Sequence, residues 1–352
     1  MRIGIVGASS QVGSSVALYL KKYLHVEVIC FVRSGYSKAF FDLVGITIDD
    51  IDVNNKPQLK SKFSQLDAII DFSYPSGQLF EIKASLKISI ENIISCLPPQ
   101  ATYIYMSSIM AYGMSAEERY VGNYFFPRST YAFLKRYAEK IVRRFGRKYS
   151  IKVYNFRLGQ VHGVLQSVNS SFREKLSKNN IAFVNGGPSE LTNTVFVNSV
   201  SDAILECVKG KEIPGTYTLI SSPQWSLKEL YDYYVQYYNF PIEIIYAPEE
   251  KKKIRYSFGV FGFLRKYRPL LETYFLMNLP RVLIKVKGRY RESEASGLGG
   301  KSIADGMKYI DFNLLGKPGN KVISTNSSVS VVNEKEREFE NYYLKLLDNN
   351  RV

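Results

Sequence analysis

The stretch Arg2-Ile3-Gly4-Ile5-Val6-Gly7-Ala8-Ser9-Ser10-Gln11-Val12-Gly13 decides the fold. After Arg2 the run is wholly apolar, as in a strand buried on both faces of a parallel sheet. A glycine-bearing loop follows, and Ser14 to Lys22 then reads as a helix. In a strand–loop–helix unit the helix N-terminus offers free N–H groups and the positive end of its dipole to a phosphate. Gly7, Ser9, Ser10, Gln11, Val12 and Gly13 are therefore the candidate contacts of a dinucleotide pyrophosphate.

The same alternation continues outward. Val26 to Val32, Asp67 to Ser73, Ala101 to Ser108 and Ile151 to Arg157 read as further buried strands. Strands alternating with helices predict an α/β fold, a Rossmann-type doubly wound parallel sheet with a smaller C-terminal α/β substrate part. Ligands of such sheets bind beyond the carboxyl ends of the strands, where Gly7, Ser73, Ser108 and Arg157 all fall.

Ser108 is followed downstream by Tyr131-Ala-Phe-Leu-Lys135, the one Tyr-x-x-x-Lys of the chain. Ser129 to Arg144 reads as a helix, with Ser129 as N-cap, and residues i and i+4 then share a face. A free tyrosine has a pKa of about 10, too high for a base at neutral pH. A neighbouring ammonium and a positive nicotinamide are both expected to lower it, and a base poised nearer the working pH is more effective. Ser108 would hold a substrate oxygen, Tyr131 would carry the proton, and Lys135 would also reach the ribose hydroxyls. The bland alternative is a surface helix with an ordinary Tyr and Lys.

With these pieces in hand the chain resembles the extended short-chain dehydrogenases/reductases of the NAD-dependent epimerase/dehydratase group, most of which act on nucleotide sugars. The matching motifs are Gly7-Ala8-x-x-x-Val12-Gly13, Ser107-Ser108-Ile109-Met110-Ala111-Tyr112-Gly113, Tyr131-x-x-x-Lys135 and Arg157-Leu158-Gly159-Gln160-Val161-His162-Gly163. The resemblance covers roughly residues 1 to 235 and implies that Ser108, Tyr131 and Lys135 form the catalytic triad. It further implies cofactor contacts from the glycine loop, Arg33, Ser34, Phe72, Ser73, Tyr74, Ser107, Lys135 and Leu158. On the substrate side it points to Ser108, Tyr112, Arg157, Gln160, His162 and Arg173, with Arg157 or Arg173 facing phosphate and His162 read chiefly as structural. The implied substrate is a nucleotide-activated sugar in polysaccharide or glycoconjugate synthesis, and the implied assembly a homodimer.

Departures from the family pattern narrow the expectation. Ser10 stands where the loop usually has its middle glycine; its hydroxyl is a candidate bond to a phosphate oxygen. After the second strand comes Phe31-Val32-Arg33-Ser34, with no acid to hold a 2′-hydroxyl. An arginine there suits a 2′-phosphate, so NADP is expected ahead of NAD. Ile109 and Met110 replace the acidic residues that dehydration or decarboxylation needs. Epimerisation, ketone reduction and alcohol oxidation remain.

Composition sets bounds. The 352 residues suit one two-part enzyme, divided as 1–163 with a return at 194–210, and 164–193 with 211–352. Cys30, Cys96 and Cys207 lack metal-ligand spacing, and with two histidines no metal site is expected. A first strand at residue 2 leaves no room for a signal peptide, and no run of 18 apolar residues occurs, so a cytoplasmic enzyme is expected. The net charge is +15, yet residues 251–291 alone carry twelve Lys or Arg against one acid, Glu272. Basic, aromatic and apolar together, this segment reads equally as a peripheral contact with anionic membrane, as a diphosphate clamp through Arg265, Arg268 and Arg281, or as a plain basic hairpin. No nucleic-acid recognition module is present. The rival class is a non-catalytic NADP-binding sensor or scaffold, using the basic segment for a partner.

Overall fold

The computed structural model describes residues 1–23, 25–33, 38–77, 79–112, 130–166, 181–185, 187–239, 241–247, 320–326 and 329–349. Ser34, Arg173 and the basic segment 251–291 lie outside these residues.

Eight strands form one sheet: β1 (Arg2–Val6), β2 (Glu27–Val32), β3 (Thr47–Asp50), β4 (Ala68–Asp71), β5 (Thr102–Ser108), β6 (Lys152–Leu158), β10 (Gly215–Ser222) and β12 (Asn320–Asn326). Their order is β12-β10-β6-β5-β4-β1-β2-β3, and every pairing is parallel. The central strands are buried on both faces, as their unbroken apolar runs require. The Rossmann-type sheet expected from the sequence is thus present. β10 and β12, whose residues the sequence reading places in the substrate part, extend this same sheet past β6.

Helices cover both faces. On one side α1 (Gln11–Lys21), α6 (Val197–Val208) and the terminal α8 (Val329–Asn349) enclose a core that includes Val16, Leu20, Ile204 and Phe339. The Tyr19 and Phe339 rings lie 5.7 Å apart there, which docks the end of the chain onto its first helix. On the other side α3 (Lys56–Phe63), α4 (Leu79–Ser95) and α5 (Thr130–Tyr149) bury Leu59, Leu86, Ile90, Leu134 and Val142. Fully burying one such aliphatic side chain stabilises the fold by about 1.5–3 kcal/mol. The short α2 (Lys38–Leu43) leads into the edge strand β3.

A smaller part follows β6. The pair β7 (Gln160–His162) and β9 (Thr194–Phe196), the pair β8 (Ile181–Asn185) and β11 (Glu243–Ala247), and α7 (Leu227–Tyr238) build it. A complete capping box starts α7: the Ser226 hydroxyl accepts from the Glu229 N–H, and the Glu229 side chain accepts from the Ser226 N–H. Asn239, at a left-handed φ of 52°, stops it. Trp225, Phe196, Tyr233 and Tyr234 fill its core.

Candidate active site

Three neighbouring strands, β1, β4 and β5, carry the site at their carboxyl ends, with β5 running on past the level of Val6 and Asp71 to Ser108. Gly7 follows β1 with φ +71°. A Cβ on it would come 2.7 Å from the Ser73 N after β4, so the loop lies directly on the Phe72–Ser73 backbone. A Cβ on Gly13 would meet Ser10 Oγ at 2.7 Å and Gly7 O at 2.9 Å. Both glycines are demanded by close approach of backbone to backbone. The loop thus keeps the shape that lets a phosphate reach the α1 N-terminus, and a dinucleotide fits this cradle.

Ser10 plays a role other than the one expected. It is the N-cap of α1, with φ −70° and ψ 153°, and its hydroxyl accepts from the Gly13 N–H at 3.1 Å. The backbone there is ordinary extended chain, so no glycine is required. Capping also moves the helix start to Gln11, three residues before the start read from periodicity. Ser9 and Gln11 are exposed on this rim and Val12 is half-buried. Gln11 O accepts from the Ser14 and Ser15 hydroxyls and from Gln166 Nε2. Arg33 is exposed just past β2.

Tyr131, Lys135, Glu139 and Arg143 stand at four-residue steps on one face of α5, which faces the ends of β5 and β6. The Ser108 hydroxyl lies beside the Tyr131 phenol and favours its ionised form, and Ser108 Oγ accepts from Met110 N at 3.2 Å. Lys135 Nζ donates to Met106 O at 2.7 Å and to Tyr105 Oη at 3.4 Å. No third partner exists for it among the described residues. Its Nζ also lies over the Tyr131 ring at 5.7 Å and the Tyr74 ring at 5.3 Å. Ser108, Tyr131 and Lys135 are therefore together, beside the glycine loop.

The electrostatics differ from the expectation. Tyr131 is 40% exposed as a residue. Burial of its phenol is nonetheless the largest effect, and with Tyr74 alongside pushes its pKa up to about 12, against the pull of the Ser108 hydrogen bond. Lys135 is buried and falls to about 8, with Asp71 and Glu139 opposing the shift. Desolvation dominates, so the protein by itself holds Tyr131 protonated. A protonated phenol beside a serine hydroxyl can give a proton to an oxygen held between them.

Behind these groups lies a buried network that sequence reading missed. Glu139 is fully buried and takes two bonds from Arg157, Nε to Oε1 at 2.9 Å and Nη2 to Oε2 at 2.7 Å. The Ser107 hydroxyl donates to Glu139 Oε1 at 2.6 Å. Register places Ser107 beside Arg157 on the adjacent strands β5 and β6. The network corrects two expectations. Arg157 is 1% exposed and commits its fork to Glu139, so it presents no cation to a substrate phosphate. The Ser107 side chain likewise points inward rather than to a cofactor. Glu139 was discoverable: it is the next i+4 step after Lys135. Asp71, also buried, accepts from Tyr103 Oη at 2.5 Å and Ser73 N at 2.8 Å. Its signal was a lone acid in the apolar run Ile69-Ile70-Asp71-Phe72.

Other expected contacts are scattered. Phe72 and Ser73 are half-buried at the loop, and Leu158 is buried at the end of β6. Tyr112 ends the 3-10 turn Ile109–Tyr112. Gln160 is half-buried, and its N–H donates to Asn193 O at 2.7 Å. His162 is fully buried, its Nδ1 lies 2.6 Å from Tyr234 Oη, and burial lowers it to about 3. It is a neutral packing residue of the smaller part, not a ligand. Among the described residues no cluster of His, Cys, Asp or Glu could hold a metal, and no helix is long and apolar enough to cross a membrane.

Solved structures share this architecture. A UDP-N-acetylglucosamine 4-epimerase from Bacillus cereus is 15% identical with a TM-score of 0.57, over 72% of this chain and 88% of that one. A UDP-glucose 4-epimerase from Thermotoga maritima, solved with UDP-glucose, is 17% identical with a TM-score of 0.52, over 72% and 88%. The Thermus thermophilus UDP-glucose 4-epimerase complex with NAD is 18% identical with a TM-score of 0.51, over 76% and 94%. No curated protein matches. The family model for the NAD dependent epimerase/dehydratase family matches residues 3–194, more than half of the chain. This chain belongs to that family.

Proposed function

We propose that this enzyme exchanges a hydride and a proton with a carbinol or ketone carbon of a nucleotide-linked sugar, as an epimerase or a ketoreductase. The observation that carries the reading is the Ser108–Tyr131 hydroxyl pair above buried Lys135, next to the Gly7 loop. The nicotinamide, when bound, supplies or takes up the hydride. The Gly7–Gly13 loop and the first turn of α1 would hold its pyrophosphate, and Lys135 its ribose. Ser108 would hold the sugar oxygen. In reduction Tyr131 gives that oxygen its proton, the direction for which a phenol near 12 is already prepared. In oxidation Tyr131 accepts the proton, and Lys135 then stabilises the phenolate. Ile109 is buried and, like Met110, has no group to move a further proton, which favours epimerisation or reduction over dehydration.

For the cofactor we favour NADP. Arg33 is exposed beyond β2, where a 2′-phosphate would lie. The nearby acids of β3 are already paired, Asp49 with Lys62 and Asp50 with Lys38. They oppose a phosphate less than free carboxylates would. A homodimer and an anionic membrane contact through 251–291 remain part of the proposal.

The test has two steps. Denatured protein is analysed by mass spectrometry for released NAD(H) or NADP(H), and the loaded protein is offered UDP-sugars and their 4-keto forms with NMR detection. Turnover should fall by about 100- to 10,000-fold in Tyr131→Phe, with dinucleotide affinity retained. Turnover unchanged in Tyr131→Phe would discard this mechanism; binding with no turnover of any offered sugar would favour a sensor.

A further inference from the structure

Three tyrosine rings surround the Lys135 ammonium: Tyr105 at 4.9 Å, Tyr74 at 5.3 Å and Tyr131 at 5.7 Å. Tyr105 is fully buried in β5, and Tyr131 is the phenol of the hydroxyl pair itself. Tyr74 is different. It lies beyond β4, it is 36% exposed, and its ring packs on Tyr131 at 5.4 Å between centroids. One residue earlier, Ser73 touches Gly7. Tyr74 therefore bridges the pyrophosphate cradle at the end of β1 and the hydroxyl pair at the end of β5. A dinucleotide reaching from one to the other must pass it.

The hydrogen bonding of Lys135 says what the passage involves. Its two bonds go backward, to Met106 O and Tyr105 Oη. Among the described residues the rest of the ammonium is surrounded by tyrosine rings, whose π-clouds attract a cation without offering the lone pair of an oxygen. Ribose hydroxyls offer such lone pairs in the same place.

We propose that Tyr74 is a positioning residue that covers Lys135 in the free enzyme and is displaced by the ribose of the nicotinamide half of the dinucleotide. This rests on the dinucleotide reading above. Tyr74 thus sets the rate at which the ribose gains Lys135, and it shields the ammonium from solvent beforehand. The ring, not its hydroxyl, does this, so Tyr74→Phe keeps the device while Tyr74→Ala and Tyr74→Ser remove it.

Two readouts test it. In the free enzyme, trinitrobenzenesulfonate labelling of Lys135 is followed by peptide mass spectrometry. Labelling should rise about tenfold in Tyr74→Ala and Tyr74→Ser and stay near wild type in Tyr74→Phe, the scale of a desolvated cation–π contact. In stopped flow, NADH and NADPH should associate several-fold faster with the Ala and Ser variants only. Unchanged labelling in both small-residue variants would show that the ring does not cover Lys135 and overturn the proposal, whatever binds. Raised labelling with unchanged association would overturn the gating role. Failure of every variant, wild type included, to bind a dinucleotide would instead overturn the reading of the site on which it rests. Melting curves of the Ala and Ser variants identify a folding failure, and Tyr74→Phe then decides alone: faster association in it would refute a ring-based gate.

Discussion

Removing the Glu139 carboxylate should unfasten α5 from the sheet beneath the site. Glu139 is fully buried and Arg157 is 1% exposed, and their two bonds measure 2.7 and 2.9 Å. Glu139→Ala would leave the Arg157 guanidinium buried without its counter-charge and the Ser107 hydroxyl without its acceptor. Breaking a buried pair from one side costs about 3–5 kcal/mol, a large share of a total stability of about 5–15 kcal/mol. At roughly 2–4 °C per kcal/mol, Tm should fall by about 6–20 °C. The double variant Glu139→Leu with Arg157→Met removes both charges and fills the volume, and it should recover most of that loss. Urea and thermal unfolding followed by circular dichroism give both numbers. A loss below about 1 kcal/mol in Glu139→Ala, or a double variant as damaged as the single, would refute the buttress. Nucleotide-sugar affinity that fell in the stable double variant by as much as a lost phosphate contact would restore Arg157 as a ligand.

Further outcomes follow from other sites. Glu336 of α8 is buried and accepts from Val164 N at 2.9 Å, and burial raises it from 4.5 to about 7. The folded state therefore binds the extra proton between those values, and stability falls as pH rises from about 4.5 to 7 by something on the order of 3 kcal/mol. Glu336→Gln should flatten that fall, matching wild type near pH 4.5 and exceeding it above pH 7 in thermal melts. Ser10→Ala should cost about 1 kcal/mol through the lost α1 cap, while Ser10→Gly costs only a few tenths, measured by urea unfolding. Arg33→Ala should weaken NADPH about tenfold or more and leave NADH within about twofold by fluorescence titration, as loss of a charge-assisted phosphate bond would; equal effects on both would reject the NADP preference.

The sequence by itself determined the sheet. Apolar runs such as Ile3–Val6 and Tyr103–Met106 can be satisfied only by strands buried on both faces, and their alternation with amphipathic helices permits one kind of layering. The i+4 step likewise put Tyr131 and Lys135 on one helical face before any coordinates, and the serine-ended strand put Ser108 at the matching level. Local signals misplaced some edges. α1 begins at Gln11 because a capping hydroxyl at Ser10 can start a helix where apolar periodicity is still silent.

Only the tertiary structure decided which way the polar groups face and what burial does to them. Arg157 looks like a phosphate ligand as a residue at the end of a strand. It becomes a buried partner because Glu139, 18 residues earlier in the chain, arrives beside it through the packing of α5 on β6. Tyr131 was expected to be acidified by Lys135, yet desolvation, which no sequence spacing reports, pushes the phenol up and the lysine down. The tyrosine cage has the same origin: Tyr74, Tyr105 and Tyr131 are far apart in the chain and meet around one ammonium because β4 and β5 are neighbours and the first turn of α5 packs beside them. Periodicity fixes which residues share an element; the environment of a charge depends on every element that closes over it.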